Sequence, residues 1–234
     1  MLGNLVNTAA IIAGSTLGLL LKGGIPESYN RTIMKSVALA VILIGLLNAL
    51  KTEQLLLVIF SLAIGSLLGE IIKIEDGLEK LGMMLEQRFS GSGDSVAQGF
   101  VTSSLLFCVG AMAVVGSLES GLTGSHQTLF AKSVLDGISS IVLASSMGIG
   151  VLFSALSVLI YQGIITLGAS VLQPFLGTEV IREMSAVGGL LILAIGFNML
   201  DLPKIKVGNM LPAIFIPLLY YILLPLFHHL PAFG

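Results

Sequence analysis

The sequence predicts an all-α, polytopic transmembrane helical bundle, and three observations lead to that class. Only 10% of the 234 residues are charged, whereas a soluble domain carries about 25% to cover its water-facing surface. Hydrophobic residues make up 55% of the chain and mean hydropathy is +1.03, so lipid is the expected solvent. The apolar residues also gather into uncharged runs near the ~20 residues that a helix needs to cross a hydrocarbon core. No long hydrophilic tract separates them, so residues 1–234 form a single transmembrane domain.

The first run is Leu5–Leu21. The preceding Met1-Leu2-Gly3-Asn4 has no basic n-region, and no small-residue cleavage site follows, so the run is expected to stay as a span. Ser36–Leu50 and Leu55–Gly69 come next; both are short and must borrow flanking residues to cross. In the loop 70–99, Ile74, Leu78, Leu81, Leu85 and Phe89 recur at helical spacing, with Glu75, Glu79, Lys80, Glu86 and Arg88 elsewhere. That pattern predicts an amphipathic helix near 74–90, lying in the membrane interface or extending the third span. Gly91-Ser92-Gly93-Asp94-Ser95 then makes a flexible turn, and Phe100–Leu118 is the fourth span.

Gly137–Thr178 holds not one charge and is about twice the length of a single crossing. Gly148-Ile149-Gly150 offers a place to turn, because glycine breaks a helix cheaply. Two helices at 129–148 and 151–172 are one solution, and a re-entrant helix plus one span is the other. The last spans are Met184–Leu200 and Val207–Phe227, the second interrupted by Pro212, Pro217 and Pro225.

Charge asymmetry separates the two counts, since cytoplasmic loops are enriched in Lys and Arg. Eight spans put Lys22, Arg31, Lys35, Lys73, Lys80, Arg88, Lys204 and Lys206 on one side, and Lys51, Lys132 and Arg182 on the other. Seven spans move Arg182 to the first side and remove Lys204 and Lys206 from it, which weakens the contrast. Eight spans are therefore expected, with both termini non-cytoplasmic. Two span ends also look alike, Ile44-Gly45-Leu46-Leu47-Asn48-Ala49-Leu50 and Ile195-Gly196-Phe197-Asn198-Met199-Leu200. Each is second in a set of three, residues 4–73 and 151–229, and eight spans would make the sets an inverted repeat, an arrangement common in secondary transporters.

Small residues mark where helices touch: Gly14-xxx-Gly18, Gly65-xxx-Gly69, and Gly110, Ala113, Gly116 and Ser117 on the fourth span. Ionisable groups say more, because each costs several kcal/mol in hydrocarbon unless paired or hydrated. Lys132 and Asp136 are four residues apart on one helix face, and Ser139, Ser140 and Ser146 continue it inward. This stripe is either the wall of a hydrated cavity or a structural pair with serines bonding back to carbonyls. Asn4, Asn7 and Thr8 cluster on the first span, and Asn48 and Asn198 sit near span ends, where they cap or bridge helices. Glu70, Glu119 and Asp201 close their spans and read as interfacial anchors.

Several functions find no support. Net charge is −2 with no basic block, so nucleic acid is not an expected partner. Cys108 is the one cysteine, in an apolar run, and reads as packing. No His-Glu-x-x-His motif and no serine–histidine pair lies in the spans; His126, His228 and His229 lie in a loop and at the C-terminal end. No phosphate-binding glycine loop is present, so the chain is expected to be no enzyme and to need no cofactor.

The run Cys108-Val109-Gly110-Ala111-Met112-Ala113-Val114-Val115-Gly116-Ser117 and the following Lys132-Ser133-Val134-Leu135-Asp136-Gly137 resemble the bacterial membrane family catalogued as domain of unknown function 554. Gly3-Asn4-Leu5-Val6-Asn7 and Ile74-Glu75-Asp76-Gly77-Leu78-Glu79 are similar too. The resemblance covers essentially the whole chain. It implies a bacterial inner (cytoplasmic) membrane protein of transporter type and supplies no substrate or site residues. The expected function is a small secondary transporter or channel for an ion or small polar solute, with Lys132, Asp136, Ser139, Ser140, Ser146, Asn4, Asn7, Asn48 and Asn198 on its path. The alternative is a non-transporting scaffold or assembly protein. The expected partners are the lipid bilayer, that ion or solute, and a second copy of the chain in a homo-oligomer, a dimer first.

Overall fold

The computed structural model describes residues 1–22, 27–89, 96–109, 111–200 and 202–228. In chain order the helices are α1 Leu2–Lys22, α2 Glu27–Ala49, α3 Leu55–Ile72, α4 Ile74–Phe89, α5 Val96–Val109, α6 Ala111–Leu122, α7 Gln127–Met147, α8 Gly150–Leu167, α9 Ala169–Leu172, α10 Thr178–Met199, α11 Val207–Met210 and α12 Ile216–His228. Among the described residues seven helical segments are long and apolar enough to cross a membrane. The α5–α6 pair makes an eighth when counted as one bent span.

The short second and third runs do borrow flanking residues: α2 extends beyond its run at the N-terminal end and α3 at the C-terminal end. The amphipathic reading of 74–90 is matched by α4, joined to α3 through Lys73 in the left-handed conformation at φ 59°. The uncharged stretch folds as two helices rather than one, turning at Gly148, whose φ of 80° suits glycine. The last span opens as α11, passes through a 3₁₀ segment at Leu211–Phe215 around Pro212, and continues as α12. The fourth span departs from its unbroken reading. It bends by 59° between α5 and α6, because hydropathy registers the apolar run but not a break inside it. Gly110, the turn at 91–95, Asp201 and His229 lie outside the described residues.

Glycines fix the pairing and its direction. A Cβ on Gly14 would lie 2.2 Å from the Gly137 carbonyl oxygen, and one on Gly18 would lie 2.3 Å from that of Ile141. With Gly3 against Leu129, α1 and α7 therefore run parallel in backbone contact. Gly45 meets Gly189 and Leu193 while Gly196 meets Ala38 and Ile42, so α2 and α10 are antiparallel. Gly65 packs on Ala213 and Gly69 on Asn209, which makes α3 antiparallel to the α11–α12 span. Gly150 lies against Val96 and Gly121 against Thr166, so the broken span runs parallel to α8.

These directions decide the parity of the spans. Eight crossings that alternate make the first and fifth parallel, the second and seventh antiparallel, and the fourth and sixth parallel, as observed. A seven-span chain would place α2 and α10 parallel. The arrangement gathers Lys22, Lys73, Lys204 and Lys206 at one end of the bundle, called here the basic end. At the centre, α10 is the most buried span and packs on α2, α3, α5, α6 and α12.

Candidate functional site

Three features meet the chemistry expected of a path: a buried polar cluster, a cavity at the basic end, and ion-pair latches at both ends. The cluster forms where α1 lies on α7 and α8. Asp136 is the tenth of the 21 residues of α7, about 14 Å from its N-terminus at 1.5 Å per residue. Lys132 and Asp136 are only 5% and 6% exposed. The Lys132 ammonium donates to Asp136 Oδ2 at 2.6 Å and to Oδ1 at 2.8 Å. Asn7 Nδ2 donates to the same carboxylate at 3.0 Å. One turn towards the non-basic end, Asn4 Nδ2 donates to Thr166 Oγ1 at 3.1 Å. Cys108 stands next to the break in the fourth span.

The cluster thus unites Asn4, Asn7, Lys132 and Asp136. Ser140 joins its edge in the α1–α7 seam and donates to the Asp136 backbone carbonyl. Ser139 is half-buried beside this stripe, and Ser146 lies about 15 Å further along the helix than Asp136. The remaining two asparagines stand elsewhere. Asn48 donates to Ile44 O at 3.0 Å and accepts from Lys51 at 3.1 Å, near the non-basic end. Asn198 clamps the connection to α11, donating to Ile205 O at 2.8 Å and accepting from Ile205 N at 2.9 Å. The eight-span reading already separates Asn48, next to Lys51, from Asn198, next to Lys204, and the antiparallel pairing of α2 and α10 agrees with it.

A cavity of about 510 Å³ opens at the basic end between α4, α5 and α10. Val101 and Leu105 form its apolar side along α5; Gln98, Thr102 and Asn198 supply amides and a hydroxyl. Glu75, Glu79 and Lys204 line it as well. Lys204 pairs with Glu79 and stands 3.6 Å from Glu75. Its hydrogen bond to Glu79 raises its pKa above the ordinary lysine value. Lys206 bonds Glu70 at 3.2 Å, Asn209 Nδ2 donates to Glu70 at 2.6 Å, and the buried Glu75 carboxylate accepts from Gly208 N at 2.6 Å.

The other end carries a matching latch. Glu183, 0% exposed, accepts from Thr52 Oγ1 and, at 3.0 Å, from Glu53 N. Arg182 pairs with Glu53 at 2.8 Å, and Gln54 Nε2 donates to Tyr221 at 2.7 Å. Sequence reading took Glu70 as an anchor, placed Glu75 off the apolar face of the amphipathic helix, and passed over Glu183, Gln162 and Thr166. Gln162 did leave a signal, as a long polar amide inside the uncharged stretch.

The model of the family described as protein of unknown function (DUF554) matches residues 2–222. The chain is 40% identical over 223 residues to the uncharacterized membrane protein YdfK of Bacillus subtilis (strain 168), covering 93% of this chain and 94% of that one. It is 31% identical over 219 residues to the uncharacterized protein YqgA of Escherichia coli (strain K12), covering 92% and 93%. No solved structure matches the chain.

Proposed function

This chain belongs to the DUF554 family of membrane proteins, and from that premise we propose that it is a small secondary transporter for an ion or small polar solute. The observation that carries the reading is the Lys132–Asp136 pair, buried at mid-helix in a bundle whose fourth span is broken. Removing two charges from water costs several kcal/mol each, and an apolar pair of similar volume is often as stable or more so. The glycine seam already brings α1 into backbone contact with α7, and the buried pair adds a desolvation cost that this packing does not require. Broken spans beside intramembrane charges are a common construction of transporter sites.

The cavity supports the same reading. It enters from the basic end along α5 as far as Leu105, one turn short of Cys108 and the break. Its 510 Å³ suits a small solute. The two triplets α1–α2–α3 and α8–α10–α12 also pack antiparallel, helix on helix, which supports an inverted repeat of the kind that rocks between two states. In this proposal the protein sits in the bacterial inner membrane with its basic end cytoplasmic and both termini outside. It is no enzyme, and its cargo passes unchanged. The outward apolar faces of α2 and α3, among them Leu39, Leu43, Leu56 and Phe60, meet lipid or a second copy.

The scaffold reading keeps one specific observation in its favour: the pair is fully buried and bonded to Asn7. Plugging the cavity separates the two. In a Cys108→Ser background, Thr102→Cys places a thiol on the cavity wall. A bulky, membrane-impermeant thiol reagent applied from the basic side should abolish flux in proteoliposomes. Unchanged flux after complete labelling would remove the cavity from the path.

A further inference from the structure

Three buried side chains carry polar atoms without hydrogen-bond partners, and one of them, Asn7, is bonded to Asp136. Gln162 is 0% exposed, and neither its Oε1 nor its Nε2 meets a hydrogen-bond partner. The same holds for Ser117 Oγ and Asn7 Oδ1, in side chains that are also 0% exposed. Leaving one such group unpaired costs about as much as a whole hydrogen bond contributes, and buried polar groups are very rarely left so.

Helix register brings these atoms to one place. Asn4 meets Thr166 by a hydrogen bond, and Gly121 meets Thr166 by backbone contact. Moving one turn towards the basic end reaches Asn7 on α1, Gln162 on α8 and Ser117 on α6. Each is three or four residues from its predecessor and therefore on the same helix face. Asp136 is level with them through Asn7. By this register three mutually packed helices, α1, α6 and α8, bring two side-chain amides and one hydroxyl to the level of Asp136 on α7.

We propose that Asn7, Ser117 and Gln162 form a binding site for a single dehydrated monovalent cation, the coupling ion of the transporter. This deepens the transport reading, and for the ion's role it rests on it. Two amide oxygens and a hydroxyl are hard neutral ligands of the kind that hold such ions. Asn7 donates its amide hydrogen to the Asp136 carboxylate, which concentrates negative charge on its free Oδ1. An anion finds less here, because the Lys132 ammonium is committed to both oxygens of Asp136. A divalent ion calls for several carboxylates, and among the described residues no group of three or more His, Cys, Asp and Glu could hold one.

The test is a melt of the purified full-length protein in detergent, in choline, lithium, sodium or potassium chloride at constant ionic strength. One alkali cation should raise the melting temperature saturably, by about 5–11 °C at one hundred times its Kd. Gln162→Leu removes the unpartnered amide at similar volume, so it should fold at least as well in choline and lose most of that rise. Ser117→Ala should weaken the ion's midpoint several-fold. No alkali cation exceeding choline, or a full rise retained by Gln162→Leu, would overturn the site. Binding is read here without flux, so loss of the site and loss of transport are separate results.

Discussion

Replacing Asp136 with asparagine keeps the volume of the side chain and removes its charge. The Lys132 ammonium is 5% exposed and has its short contacts, 2.6 and 2.8 Å, to the two oxygens of this carboxylate. In Asp136→Asn the ammonium keeps one amide oxygen as acceptor and loses its counter-charge. Breaking one half of a buried pair costs about 3–5 kcal/mol. At about 2–4 °C per kcal/mol for a chain of this size, the melting temperature should fall by roughly 6–20 °C. Adding Lys132→Met removes the stranded charge and should restore most of the loss, since an apolar pair can replace an ionic one. The assay is thermal unfolding in detergent of the wild type, both single variants and the double variant. A single variant that melts with the wild type, or a double variant no better than the single, would refute the reasoning that the pair is dry and mutually dependent.

Other outcomes follow from the glycine seams and the latches. A Cβ on Gly69 would stand 1.8 Å from Asn209 O, so Gly69→Ala should destabilise by about 1–3 kcal/mol through overpacking, while Leu20→Ala on an outward face should be nearly silent; melts of the two variants check this. In a Cys108→Ser background, Lys204→Cys should react with impermeant reagent from the same side as Gln98→Cys, and Thr52→Cys from the opposite side; labelling of Lys204→Cys and Thr52→Cys from one side would break the eight-span order. The pKa of Lys204 is raised by Glu79, so its stabilising effect should be complete below the ordinary lysine value and fade as pH rises through the raised one. The difference in melting between wild type and Lys204→Met should accordingly shrink between neutral and strongly alkaline pH.

Much of the bundle was legible because lipid imposes one-dimensional rules. The count of spans, the turn at Gly148 and the amphipathic α4 follow from run length, glycine placement and spacing. The Gly14–Gly18 and Gly65–Gly69 faces were visible as small residues one turn apart, though their partners, α7 and the α11 region, were not. The Lys132–Asp136 pairing was readable because it lies within one helix. Its bond to Asn7 was not, because that contact spans most of the chain and depends on α1 and α7 being parallel. The break after Val109 escaped since an apolar run reads the same whether straight or bent. Gln162 stood out as a long amide inside the uncharged stretch, but a lone amide does not say what it faces; only the packing of α8 on α1 and α6 gives it a setting.

Transport itself is tested most directly by solid-supported-membrane electrometry on proteoliposomes carrying the wild type, with the Asp136→Asn/Lys132→Met double variant alongside. Concentration jumps of protons, alkali cations and small polar solutes would be applied in turn. The wild type should give a saturable transient current or a dye-detected flux for at least one of them, above protein-free liposomes, and the stable double variant should lose it. A wild type that moves none of them, or a double variant with undiminished flux, would contradict the account and leave a membrane scaffold as the function of the bundle.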